Sequence, residues 1–157
     1  MPNESAHINL AVHNQKVINY LLQDVNEYSD WITTIAFYKA LHIVEAILYR
    51  QKKRHGQTHE NRRSILKENK SYHHIYIHYR DLENASLIAR YLEDPESPPP
   101  IYSAFTEYLS PDQVQSEMLN HRLHQIEVSA KKFLSKSSIK SLKSTYVNSS
   151  FHPISSR

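Results

Sequence analysis

Gly56 is the only glycine in a chain of 157 residues, and that scarcity constrains the fold more than any other feature. Tight β-hairpins draw on Gly, Asn-Gly and Asp-Gly for their positive-φ positions. A chain with one glycine has almost no such turns to offer, so an all-α fold is expected. The length suits one domain with a real core, and hydrophobic residues make up 39% of the chain to fill it. There is no cysteine, so disulfides and thiolate metal sites are excluded. No apolar run approaches the roughly 20 residues of a bilayer span. The start "MPNESAHIN" lacks the basic and apolar regions of a signal peptide. A soluble cytoplasmic protein without a membrane partner is expected.

Periodicity places the helices. Ile8, Val12, Val17, Leu21, Leu22 and Val25 repeat at helical spacing from about Ser5 to Asn26. A second helix is expected from Trp31 to about Lys53, capped by Ser29 or Asp30. Gly56 is expected at the left-handed position that closes it. Thr58 can cap a third helix from His59 to about Lys70, and a fourth runs from about Tyr72 to Leu92. The prolines of "EDPESPPP" prevent its continuation, and "IYSAFTEYL" offers one short helix. Ser110, Pro111 and Gln113 form a start signal with a capping box. The fifth long helix then reaches about Leu134. The expected architecture is an antiparallel bundle of four to five helices over residues 1–134. Residues 135–157, rich in Ser and Lys, read as a flexible tail.

The net charge of +3 hides an uneven distribution. Lys136, Lys140, Lys143 and Arg157 give the tail +4, which leaves the body at −1. Positive charge in the body is local, concentrated from Arg50 to Lys70, where only Glu60 and Glu68 oppose it.

Two constellations carry possible chemistry. On the second helix, Trp31, Ile35, Tyr38, His42, Glu45 and Tyr49 share a face beside the apolar Phe37, Leu41, Val44 and Leu48. His42 and Glu45, spaced i and i+3, are expected to be buried and hydrogen-bonded to each other as a structural pair; the alternative is a metal or acid–base pair, and a zinc site would need at least one more ligand from another helix. The second constellation is the basic turn "RQKKRHGQTHENRRS". Arg54, His55 and His59 stand between two helices, with Arg62 and Arg63 just inside the next. Histidine exchanges protons near neutral pH, arginine neutralises phosphate, and a helix start adds free N–H donors. These are the parts for cleaving RNA without a metal, each proton transfer contributing roughly 10²- to 10⁴-fold. The same residues also suit a solvated helix end. The remaining histidines show no spacing that supports a metal site, and no cofactor is expected.

The order of motifs resembles the HEPN superfamily (higher eukaryotes and prokaryotes nucleotide-binding domain). Trp31 is followed by Tyr38, Ala40, Leu41 and His42, then by His59 and Arg62. The motif ends with Tyr79, Leu82, Ser86, Ala89, Arg90 and Tyr91. The resemblance covers about residues 28 to 92. It implies a helical bundle that dimerises and, in many members, a metal-independent ribonuclease, including toxins of toxin–antitoxin pairs and defence effectors. The active motif it implies is Arg54-His55 followed by His59; from the basic turn itself, Arg62, Arg63 and Lys53 are expected to position phosphate. RNA or a nucleotide, an antitoxin or a nucleotidyltransferase are the partners it implies. The alternative is a non-catalytic dimer that binds a nucleotide or a protein through the same basic notch.

Overall fold

The computed structural model describes the backbone of residues 1–97 and 102–149, and the side chains up to residue 143. Residues 98–101, which include the three prolines 98–100, and the last residues, 150–157, lie outside the described residues. The fold is an all-α helical bundle. Helix α1 spans Glu4–Leu21, α2 Val25–Lys52, α3 His59–Glu68 and α4 His73–Tyr91. Helix α5 runs without a break from Pro111–Gln113 through a π-helical Val114–Leu123 to His124–Ala130, and α6 spans Lys136–Ser149.

Side-chain pairs fix the direction of each helix. Glu4 meets Arg50 and Gln15 meets Lys39, so α1 and α2 are antiparallel. Phe37 stacks near Tyr79 while Trp31 shares a pocket with Arg90, so α2 and α4 are antiparallel too. His74 bonds Gln125 and Arg122 bonds Asp81, which turns α5 back again. Helix α2 is central, with Ile32, Ala36, Phe37, Ala40, Ile43, Val44, Ile47 and Leu48 all fully buried. By length and composition, one 18-residue window here would pass for a membrane span, but 72% of it is buried in the bundle. It is the core helix.

Several expectations need correction. Helix α2 opens with a turn from Val25, capped by Asp24, that joins its long run across a kink at the non-helical Tyr28 (φ −112°, ψ 19°), so that run begins at about Ser29, close to the expected start. Trp31 lies on the outside, 57% exposed. Residues 135–149 are no loose tail: α6 packs on α1, with Ser138 and Leu142 buried. Glu4 is the anchor there, since its Oε1 accepts from the Ser135 N–H and the Ser138 hydroxyl, both at 2.8 Å. Composition missed this because the packing residues are few. The Thr58 cap and the Ser110–Gln113 capping box form as expected, and "IYSAFTEYL" contains only a short 3₁₀ turn at Phe105–Glu107.

Gly56 is not where the helix turns left-handed. Lys53 takes that role, with φ 52°, and Gly56 has no positive φ. A Cβ on Gly56 would lie 2.8 Å from Arg62 Cβ and 3.0 Å from Glu45 Oε1. Glycine is required here for close approach, not for backbone freedom.

Candidate functional site

The segment after α2 folds back along that helix. Gly56 lies against Glu45, and His59 lies near Phe37, eight residues before Glu45 on that helix, with ring centroids 5.7 Å apart. The fixed point is a buried clamp. Glu45 Oε1 accepts from Arg62 Nε at 2.6 Å, the Gly56 N–H donates to the same carboxylate at 3.1 Å, and Arg62 Nη2 donates to the Gly56 carbonyl at 3.1 Å. Helix α2, the turn and α3 are thereby joined through one carboxylate. A buried ion pair with its remaining valences satisfied is tolerated where a lone charge would not be.

This corrects two expectations. Arg62 is 7% exposed and committed to the clamp, so it is unavailable to a phosphate. Glu45 is buried as expected, but its partner is Arg62. His42 instead faces His7, with Nδ1 atoms 3.1 Å apart.

Histidines flank the clamp on two sides. On the α1 side, His7 Nε2 lies 3.2 Å from His55 Nε2, and His55 Nε2 lies 2.9 Å from the Pro2 carbonyl oxygen. Burial, then the neighbouring His55 and His42, push His7 down to about 4, and burial also lowers His42. The ligand atoms of His7, Glu45 and His55 all lie within 4.8 Å of one another. No local spacing announces this group, because His7 is 35 residues from His42 and 48 from His55.

On the α4 side, His59 Nδ1 lies 3.4 Å from Arg62 Nη1 and 3.6 Å from Glu83 Oε1. Burial, followed by the charges of Arg62, Arg90 and Arg63, lowers its pKa, and burial raises that of Glu83. The Arg62 contact therefore decides the tautomer near neutral pH. A guanidinium only donates, so His59 accepts at Nδ1 and keeps its proton on Nε2. Arg63 pairs with Glu83 at 3.5 Å and is half-exposed. Arg90 lies over Tyr38 (5.8 Å) and Tyr91 (5.2 Å), and lines a pocket with Asp30, Trp31 and Thr34.

The remaining basic residues sit elsewhere. Lys53 lies over the Tyr49 ring at 4.8 Å. Arg54 is exposed and makes no hydrogen bond or ion pair among the described residues; its field reaches Tyr72. Tyr72 precedes α4, about 16 Å along the helix axis from Glu83. Among the described residues, no contact joins Arg54, His55 and His59 to one another.

No family model, curated protein or solved structure matches the chain. What it does must therefore be argued from the site itself. Arg90 and Glu83 were missed as site residues because only the packing of α4 on α2 and α3 brings them beside His59.

Proposed function

We propose that this protein is a non-catalytic, HEPN-like module that binds single-stranded RNA through the face around His59, Arg63 and Arg90. The observation that carries the reading is the stacking of Arg90 against Tyr38 and Tyr91 beside the exposed Trp31. Cations interleaved with aromatic faces suit a single strand, because phosphates meet the charges while bases stack on rings. Arg90 spends Nε and Nη2 on Ser86, which leaves Nη1 for a ligand. His59, protonated at Nε2, is a donor suited to a phosphate oxygen and not a base for a 2′-hydroxyl. That tautomer, with no contact between Arg54 and His59 among the described residues, favours binding over the cleavage implied by the HEPN resemblance.

Trp31 is the only tryptophan, so its fluorescence reports directly. Single-stranded RNA is expected to quench it and to bind with a salt dependence set by the cations engaged, about 0.7 in the log–log slope per phosphate contact. Arg90→Ala should weaken binding and reduce that slope by about one contact. Cleavage products ending in 2′,3′-cyclic phosphate, lost in Arg54→Ala and His59→Ala, would replace this reading with the ribonuclease. Absence of quenching and binding at low salt would refute RNA recognition by this face.

A further inference from the structure

We infer that His7, His55 and Glu45 form a binding site for a divalent transition metal of the zinc class. The inference stands apart from the RNA reading, because these residues lie on the α1 side of the clamp.

Three observations carry it. The first is distance. Two nitrogens on one tetrahedral zinc, each at 2.0–2.1 Å from the metal, are about 3.3 Å apart, and His7 Nε2 and His55 Nε2 are 3.2 Å apart. A ligand-capable oxygen of Glu45 lies within 4.8 Å of the histidine ligand atoms, completing a two-histidine, one-glutamate set. Imidazole and carboxylate together suit Zn²⁺, whereas Mg²⁺ and Ca²⁺ demand more oxygens.

The second is the outer shell. A metal-bound histidine is normally oriented by a hydrogen bond from its other ring nitrogen. With Nε2 of His7 on the metal, its proton sits on Nδ1, and His42 Nδ1 is 3.1 Å away to accept it. Glu45 is likewise held, by the Gly56 N–H and by Arg62. Arg62 draws mainly on Oε1, so Oε2, bonded at 3.2 Å to Gly56 N, is the oxygen for the metal.

The third is a shortage of protons. The Pro2 carbonyl only accepts, so its 2.9 Å contact requires the proton on His55 Nε2. The same nitrogen faces His7 Nε2 at 3.2 Å, and one proton must serve both contacts. A cation between the two imidazoles removes that conflict by using both lone pairs, and the Pro2 oxygen or a water then fills a fourth position. The Arg62 guanidinium opposes the cation, which places the affinity below that of a site without a neighbouring positive charge. The metal would fasten the start of α1 to the turn that carries His55 and leads to His59.

The test uses the full chain stripped of metal by a chelator, titrated with Zn²⁺ by calorimetry and with Co²⁺ by visible absorption. One Zn²⁺ per chain, a rise in Tm and a tetrahedral Co²⁺ spectrum are expected, with no response to Mg²⁺. His7→Gln and His55→Ala should each abolish uptake and the Tm rise, and His42→Gln should weaken binding about 10–100-fold. His55 is only half-buried, so its variant decides if His7→Gln unfolds. A separate group, His74, His78 and His121, has ring centroids 4.9 and 5.2 Å apart and provides the control. No uptake by the wild type, uptake that survives His55→Ala, or uptake lost in a His74→Ala/His121→Ala protein would overturn the assignment.

Discussion

Replacing Gly56 by alanine sets two opposed effects against each other, and the geometry decides the winner. A Gly→Ala change at a compatible position stabilises by about 0.4–1 kcal/mol, because the unfolded chain loses freedom. Gly56 has no positive φ, so the backbone itself would accept the change. The new Cβ, however, would stand 2.8 Å from Arg62 Cβ, 3.0 Å from Glu45 Oε1 and 3.1 Å from Arg62 Cγ. Neither neighbour can swing away cheaply, since Arg62 and Glu45 are buried and bonded to each other. Overpacking of this kind costs about 1–3 kcal/mol. If the guanidinium is driven off the carboxylate, an uncompensated buried charge adds about 3–5 kcal/mol. The net expectation is a loss of about 2 kcal/mol or more. Urea unfolding followed by far-UV circular dichroism measures it. With a slope of about 2 kcal/mol per molar, the midpoint should fall by about 1 M. Lys53→Gly is the companion variant: at φ 52° it should leave the midpoint unchanged or raise it, because glycine suits that conformation. An unchanged or raised midpoint for Gly56→Ala, with a lowered one for Lys53→Gly, would refute the argument from close approach.

Two further outcomes follow from the same structure. Burial, then Arg122, depress His78 to about 4, below its unfolded value near 6.5. Its contribution is therefore complete above about pH 6.5 and is lost as pH falls towards 4. His78→Gln should flatten that part of the stability–pH curve, and an identical curve would show that His78 is not the titrating group. Truncation after Leu134 removes α6, the burial of Leu142 and both hydrogen bonds to Glu4 Oε1. Losing the leucine alone should cost about 1.5–3 kcal/mol, so the truncated chain should melt earlier; an unchanged Tm would restore the reading of this segment as a loose tail.

The sequence by itself determined the fold class and most of the helices. One glycine, helical spacing of apolar residues, and the cap signals at Thr58 and Ser110 are local facts, and local physics reads them directly. It also located the basic turn and the neighbourhood of His42 and Glu45 as unusual. It could not assign partners. Spacing i to i+3 on α2 paired His42 with Glu45, yet the carboxylate is taken by Arg62, a stronger and permanently charged donor brought from α3. It read Gly56 as a turn residue, when the backbone needed room for a side chain six positions later. Arg54 and His59 are five residues apart and look like one site, yet His59 is engaged by Arg62 and Glu83 while Arg54 stays exposed, and no hydrogen bond or ion pair joins them among the described residues. Conversely, His7 belongs with His55 only because α1 and α2 lie antiparallel. Contacts between residues distant in sequence depend on how whole helices pack, and no short-range pattern encodes that packing.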